Sequence, residues 1–220
     1  MSAPTATLTT ITTQLVAAFE ATWRAIQERH PDVPKVVVTL GSGTLGMKAG
    51  QTRLGHFAAG RWQHDDEQLA ELFISGEGLA RGAVDVLGTL LHEAAHGLAC
   101  VREIKDTSRQ GRYHNAKFKA LGEELGLTLA EDKTIGWSLT SVPETTIKAY
   151  ADVLDDLRAA LVAWRHAEVA TIGKKKSTNL AVAECACPRK IRVARATLAE
   201  APITCGKCGV DFVTEDDEDE

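Results

Sequence analysis

The sequence lacks the features that mark membrane and secreted proteins. None of its 220 residues belong to a run of about 20 consecutive apolar residues, the length that spans a bilayer. No apolar leader of the secretory type precedes the first helical pattern, so we expect a cytoplasmic protein with reduced thiols and no membrane partner. Internal repeats are also missing. With 44% hydrophobic residues, the chain can bury one substantial core and carry a small additional module.

The most informative motif that is present is His92-Glu93-Ala94-Ala95-His96, within an apolar stretch. On a helix, the two histidines stand one turn apart on the same face and can bind one metal ion. Glu93 lies beside the first ligand and can reach an attacking water molecule without becoming a ligand itself. The alternative is a chance match on a buried helix, but the apolar flanks favour a dry, fixed metal site. The pattern therefore predicts a catalytic zinc with Glu93 as the general base.

A catalytic zinc needs a third protein ligand and an open fourth position. The long metzincin pattern is excluded, because Ala99 and Arg102 stand where it requires glycine and histidine. A thermolysin-like site would take Glu123 or Glu124 from a later helix. The candidate that we favour is His114, which opens a segment with apolar residues at helical spacing.

The other histidines and the isolated cysteine have no such context. We expect surface or loop positions for the remaining candidates, which are His30, His56, His64 and His166. Cys100 would share the histidine face of the helix, but a thiolate there would close the position that the water needs. We therefore interpret Cys100 as a small buried residue.

The two histidine elements together resemble the SprT-like (Spartan-related) metalloproteases. The resemblance rests on Thr89-Leu90-Leu91-His92-Glu93-Ala94-Ala95-His96 followed by His114-Asn115-Ala116-Lys117-Phe118, and it covers roughly residues 7–129. Arg53-Leu54-Gly55 and Ile74-Ser75 are similar to the family's strands before the catalytic helix. The family's second element usually has glycine where Asn115 stands. The resemblance implies a zincin-like fold, a zinc-dependent peptidase, and protein substrates associated with or crosslinked to DNA.

The other four cysteines form a second metal-binding pattern. They lie in two close pairs, which are Cys185-Ala186-Cys187 and Cys205-Gly206-Lys207-Cys208. Between them lie β-prone residues, as expected for a zinc ribbon in which four thiolates close a tetrahedral site. Two disulfides in a secreted domain are the alternative, which the missing leader disfavours. SprT-like proteins often carry such a ribbon after the protease core. We therefore expect two zinc ions, one catalytic and one structural.

The predicted fold class is α+β, with a zincin-like core followed by a small β zinc ribbon. Helical spacing indicates a helix over residues 7–30, and residues 36–40, 53–63 and 71–75 are predicted strands. Helices around His92 and from His114 complete the core, and a long helix is predicted from Pro143 to Glu168. The domains are therefore 1–172 for the protease, 173–179 for a basic linker, 180–214 for the ribbon and 215–220 for an acidic tail.

The charges of the last 50 residues predict weak contact with nucleic acid. The six consecutive acidic residues 215–220 account for the net charge of −5, which would be +1 without them. The ribbon is locally basic through Arg189, Lys190, Arg192, Arg195 and Lys207, against Glu184, Glu200 and Asp211. We expect weak, non-specific DNA binding, for which the acidic tail could compete. A solvated charged surface is the simpler interpretation of the same residues.

Two classes of function follow from these patterns. The first is an active zinc endopeptidase, monomeric, with a protein substrate and a ribbon that directs it to DNA. The second is a catalytically silent module that binds nucleic acid or protein through the same zinc sites. Glu93 favours the enzyme, because a binding module does not need a general base. A metallohydrolase of another substrate class, such as an amidase, is a third option.

Overall fold

A computed structural model describes residues 10–48, 50–168 and 180–214. The chain divides into two compact units, residues 1–168 and residues 169–220. The predicted basic linker 173–179 and acidic tail 215–220 lie outside the described residues. The mixture of helices and small sheets confirms the predicted α+β class. Among the described residues, no helix combines the length and apolar character needed to cross a bilayer.

The first helix, α1 (Ile11–Arg29), starts four residues later than the pattern predicted. Thr10 caps it, because its hydroxyl accepts a hydrogen bond from the backbone N–H of Thr13 at 3.2 Å. His30 ends the helix, just before a proline that cannot continue it. The apolar face of α1 is buried in the core through Phe19, Trp23 and Ile26.

Three strands form the first sheet. They are β1 (Val36–Gly41), β2 (Gly55–His64) and β3 (Glu67–Ser75), in the order β1-β3-β2. β3 runs parallel to β1 and antiparallel to β2, which leaves β2 at an edge of this sheet. A bulge between Ala58 and Trp62 bends the β2–β3 hairpin. These strands match the three predicted ones to within a few residues.

The central helix α2 (Ala83–Val101) carries the histidine motif and follows a short 3₁₀ helix, Glu77–Arg81. It lies in the middle of the core, and the leucines that are fully buried on it are Leu87, Leu90, Leu91 and Leu98. Its position between α1, α3, α5 and the first sheet fixes the direction of the two histidines.

The second sheet follows α2 and is built from short strands in the order β4-β5-β7-β6. They are β4 (Thr107–Ser108), β5 (Tyr113–His114), β6 (Thr128–Asp132) and β7 (Gly136–Ser141). Helix α3 (Ala116–Glu124) starts two residues after β5. Gly126, two residues beyond its end, has a φ of +85°, a conformation that glycine adopts readily. The predicted helix from His114 is therefore confirmed, with His114 itself just before it.

The predicted long helix from Pro143 to Glu168 is wrong. Two shorter helices, α4 (Glu144–Ala149) and α5 (Ala151–Ala160), meet at Tyr150, and residues 161–168 are not helical. This last segment, which we call the strap, is held by Arg165. Its backbone N–H donates to the carbonyl of Gly76 at 3.0 Å, and its guanidinium lies 2.8 Å from Glu77. These long-range bonds stabilise the strap in a non-helical conformation.

The described part of the C-terminal unit, residues 180–214, is a three-stranded antiparallel sheet with one short helix. β8 (Leu180–Glu184) pairs with both β9 (Lys190–Ala194) and β10 (Val213–Thr214). Helix α6 (Arg195–Glu200) was not predicted from the sequence. The unit's small core consists of Ala183 and Phe212 with two of the cysteines, Cys185 and Cys205.

Candidate metal centre and active-site cleft

Three histidines from two elements converge at one point. His92 and His96 project from one face of α2, and His114 comes from β5. One ring nitrogen from each residue lies within 4.8 Å of the others, and Nε2 of His96 is 3.1 Å from Nε2 of His114. Two nitrogens bound to the same tetrahedral zinc are separated by about 3.3 Å. The three rings could therefore hold one metal ion.

The three imidazole rings rest on the side chain of Phe118. Its ring centroid lies 4.7 Å from those of His92 and His96 and 4.4 Å from that of His114. Phe118 is fully buried and belongs to α3, one turn beyond β5. The ring therefore connects the metal-binding residues to the main core and limits their movement.

Burial keeps two of these imidazoles, those of His92 and His114, neutral. It lowers the pKa of His92 well below the usual value, and the neighbouring His96 and His114 lower it further. The pKa of His114 is lowered mainly by burial and also by His96. A neutral imidazole has the free lone pair that a metal ion requires, so the rings of His92 and His114 are in the protonation state for binding.

Asp106 and Ile135 orient two of the rings from behind. Nδ1 of His96 is 2.5 Å from Oδ2 of Asp106, and Nδ1 of His114 is 3.3 Å from the carbonyl oxygen of Ile135. Such partners on the outer nitrogen fix the tautomer and direct the other nitrogen towards the metal. The sequence analysis missed Asp106, because nothing in the local sequence distinguishes it from the other aspartates.

Asn115 replaces the expected glycine without distorting the chain. Its φ of −90° is open to any residue, and its side-chain oxygen caps α3 by accepting from the N–H groups of Lys117 and Phe118. Its side-chain nitrogen donates to the carbonyl of Lys105 at 2.9 Å. The backbone N–H of Asn115 also donates to the carbonyl of Asp106. Asn115 thus ties the third histidine to the segment that carries Asp106.

Glu93 lies beside the histidine cluster and is not one of its ligands. Its side chain is buried, and burial raises its pKa to about 7, against the lowering effects of His96 and of a hydrogen bond from the backbone N–H of Phe57. Gly55 of β2 permits this arrangement. A Cβ atom on Gly55 would lie 3.0 Å from Oε1 of Glu93 and 2.9 Å from Cγ2 of Thr89.

The histidines and Glu93 open into a cleft of about 1160 Å³. Its lining includes residues 52–59, from β2 and the loop before it, and residues 138–142. The interpretation of Cys100 as buried is wrong. Leu98 and Ala99 in the last turn of α2 are buried in the core, but Cys100 is exposed and lines this cleft.

The alternative carboxylate ligands lie elsewhere. Glu124 forms an ion pair with Arg102 at 2.8 Å, and Glu123 pairs with Lys119 at 3.5 Å. Neither glutamate belongs to the group of residues that could share a metal ion with the histidines.

Of the four remaining histidines, three occupy surface or terminal positions and one does not. His64 and His166 are exposed, and His30 ends α1. His56 is part of strand β2, half-buried, with Nε2 3.1 Å from Glu71 and its ring stacked on Phe73. The prediction of a loop or surface position for His56 is therefore wrong.

In the C-terminal unit, four cysteines form a separate cluster that could hold a metal ion. Cys185 and Cys187 lie between β8 and β9, with sulfur atoms 3.3 Å apart, and the Cys187 sulfur is 3.7 Å from that of Cys205. Cys208 completes the group. Backbone hydrogen bonds from Cys208 and Lys207 lower the pKa of Cys205 to about 6, whereas a bond with Cys185 raises that of Cys187 to about 12. A bound cation would favour the thiolate form throughout.

The structure thus brings the predicted site residues together in two clusters, one in each unit. His92, His96 and His114 form the first with Glu93 beside them, and the four cysteines form the second. No protein-family model matches this chain, and no curated protein or solved structure shows a detectable match to it.

Proposed function

We propose that this protein is a zinc-dependent endopeptidase of the SprT-like type. The proposal rests mainly on Glu93, a buried carboxylate that stands next to three convergent imidazoles without joining them. Burying an ionisable group is costly, so a carboxylate in this position indicates a chemical role. Three imidazole nitrogens, with access from a cleft, are the donor set of a catalytic zinc site.

The residues of the chain have distinct roles in the proposed hydrolysis. A zinc ion held by His92, His96 and His114 would supply Lewis acidity towards water and the scissile carbonyl. Glu93 accepts a proton from the attacking water and passes it to the leaving amine, and its pKa of about 7 suits a base at neutral pH. Asp106 keeps His96 in the tautomer that leaves Nε2 free.

The edge of β2 supports a peptide as the substrate. In the described part of the chain, β2 pairs only with β3, and its other edge borders the cleft. The backbone N–H of Phe57 points from this edge to Glu93. An extended peptide could add to the edge as a further strand and present its carbonyl groups beside the catalytic residues.

The C-terminal unit has a binding role in this proposal. Four thiolates saturate a zinc ion, so the unit acts through its surface. Lys190 and Arg192 lie on one face of β9, and Lys207 is exposed between the second pair of cysteines. We expect these residues to bind DNA phosphates weakly. Together with the SprT-like resemblance, this surface favours substrates that are associated with or crosslinked to DNA.

Replacing Glu93 tests the peptidase assignment. Glu93→Gln should keep the fold and the bound metal but lower the rate of cleavage of an unfolded protein at least about 100-fold, because the base is lost. Glu123→Gln, which alters an exposed glutamate on α3, is the matched control. Unchanged cleavage by Glu93→Gln would contradict the proposal. Failure of the metal-loaded wild type to cleave any unfolded protein would instead favour a binding module or a different hydrolase.

A further inference from the structure

The residues of β2 alternate between two chemically different faces. Gly55 and Phe57 face α2, where a Cβ on Gly55 would touch Thr89 and the ring of Phe57 lies near Gly97. His56 lies on the opposite face, where its ring stacks on Phe73 with 5.2 Å between centroids. A peptide paired with β2 would have the same alternation, so one of its side chains would lie beside His56.

Two arginines that line the cleft, Arg53 and Arg61, lie near enough to His56 for their charges to act on it. Burial lowers the pKa of His56, and the positive charges of Arg53 and Arg61 lower it further. Both arginines line the cleft, and both are exposed. Arg53 also lies near enough to Glu93 for its charge to lower the pKa of that carboxylate.

The guanidinium groups of Arg53 and Arg61 have no ion-pair or hydrogen-bond partner among the described residues. Other arginines of this unit do, since Arg81 pairs with Asp85, Arg102 with Asp32 and Glu124, and Arg165 with Glu77 and Glu168. Among the described residues, the carboxylate whose charge acts on His56 is that of Glu71, which accepts hydrogen bonds from His56 and Trp62. The described surroundings of His56 therefore have two positive charges against one negative charge.

The free edge of β2 determines which substrate side chain meets these charges. The N–H of Phe57 points towards Glu93, so the backbone groups of Gly55 and Phe57 lie on the free edge. In an added antiparallel strand, the residue opposite His56 directs its side chain to the face of His56. The residues on either side of it in the substrate point to the α2 face.

We propose that Arg53 and Arg61 form a subsite for an acidic side chain of the substrate, a proposal that rests on the peptidase function proposed above. A carboxylate opposite His56 gains charge-assisted hydrogen bonds from guanidinium groups that have no other partner. The subsite therefore selects glutamate or aspartate at one substrate position. It disfavours lysine and arginine there, because like charges would meet.

Cleavage of matched peptides tests the subsite. A series of peptides has a single glutamate at each position on either side of the cleaved bond in turn. Each one is compared with a reference peptide that has glutamine at the same position. We expect a glutamate preference in kcat/KM of roughly fivefold at one position, absent at the two adjacent positions and reduced by high salt. In Arg53→Gln/Arg61→Gln, the ratio of glutamate to glutamine cleavage should fall to about 1. The variant Arg53→Lys/Arg61→Lys should retain a preference for glutamate. Arg24→Gln, which replaces an exposed arginine on α1, should behave like the wild type.

The outcomes separate this proposal from the peptidase assignment. Equal cleavage of glutamate and glutamine peptides by the wild type overturns the subsite and leaves the peptidase function intact. A glutamate preference that persists in the glutamine double variant also overturns it. A third outcome combines no glutamate preference with inhibition by a DNA oligonucleotide of the wild type but not of that variant. This result would show that the two arginines bind nucleic acid instead. No cleavage of any peptide by metal-loaded wild type overturns both proposals.

Discussion

Nδ1 of His96 lies 2.5 Å from Oδ2 of Asp106, which joins helix α2 to the segment before β4. The Asp106 side chain is only 14% exposed, so water competes little for this bond. We expect Asp106→Asn to lower the metal affinity of the histidine site about ten- to hundredfold, because the orientation and basicity of His96 change. Titration against a chromogenic chelator would measure the loss.

Asp155→Asn is the matched control for this change. Asp155 also accepts a hydrogen bond from a basic side chain, that of Arg158, but it is exposed on α5. Its replacement should leave metal affinity unchanged. An Asp106→Asn protein that binds metal as tightly as the wild type would show that the hydrogen bond does not support the site.

A side chain at position 55 should impair catalysis without removing the metal. In Gly55→Ala, the new methyl group would meet Oε1 of Glu93 at 3.0 Å and Thr89 at 2.9 Å. Displacement of Glu93 or of β2 by even part of an ångström should lower kcat about tenfold or more. Gly206→Ala, whose added methyl group meets no atom within 4 Å, is the control. Full activity in Gly55→Ala would contradict the close packing of β2 on Glu93.

The two clusters should bind metal independently. We expect two zinc ions per chain by elemental analysis of the wild type and one in either His114→Ala or Cys205→Ser, because each variant removes a ligand from a different cluster. Glu123→Gln/Glu124→Gln should retain two, since both glutamates pair with basic residues away from the site. If the double glutamate variant lost the ion of the histidine cluster and His114→Ala kept it, the result would favour a thermolysin-like ligand set.

Stability should fall in acid through Glu77, which holds the strap. Burial raises the pKa of Glu77, but hydrogen bonds from Gly43, Thr44 and Arg165 outweigh it and hold the pKa at about 2. Because the pKa is lower in the folded state, ionised Glu77 stabilises the fold at pH values above 4.5, its pKa in the unfolded chain. This stabilisation is lost as the pH falls from 4.5 towards 2. Its size is up to about 3 kcal/mol.

Chemical denaturation between pH 6 and pH 3 would measure this effect, with a chelator present so that metal loss does not contribute. Glu77→Gln should unfold more easily at pH 6 and lose less stability on acidification than the wild type. The control is Glu144→Gln, because Glu144 is an exposed residue at the start of α4. Parallel pH profiles for wild type and Glu77→Gln would show that the carboxylate does not hold the strap.

DNA binding by the C-terminal unit should depend strongly on salt. Each phosphate contact that is lost should reduce the slope of log affinity against log salt by about one. We expect Arg192→Gln/Lys207→Gln to reduce the slope by about two in fluorescence anisotropy with a labelled duplex, and Arg158→Gln in α5 to leave it unchanged. Absence of any wild-type binding at low salt would leave the unit as a stabilising or protein-docking element.

The parts of the site that depend on local spacing could be predicted from the sequence. Histidines four residues apart on a helix must share a face, and close cysteine pairs must lie together wherever the chain turns. Asp106 could not be predicted, because its contact with His96 depends on how the chain turns after α2. The role of Gly55 also depends on packing between a strand and a helix that are far apart in sequence.

The error over residues 143–168 has a similar cause. Leu161 and Trp164 continue the apolar spacing of α5, which predicts one long helix. The helix nevertheless ends at Ala160, since Arg165 bonds to Gly76 and Glu77, and Trp164 remains 57% exposed. An ion pair between residues that are 88 positions apart in the sequence holds this segment in a non-helical conformation despite its apolar spacing. The spacing itself gives no sign of that ion pair.

The position of Phe118 beneath the histidines makes the two candidate metal sites differ in how they relate to the core of their unit. In the N-terminal unit, the imidazoles lie on a ring that is already part of a large apolar core, so we expect the histidine site to be preorganised and the unit to stay folded without an ion. In the C-terminal unit, Cys185 and Cys205 are themselves half of the small buried core. An ion bound by the four cysteines would complete this small core, so we expect a chelator to unfold the C-terminal unit and to leave the N-terminal unit folded.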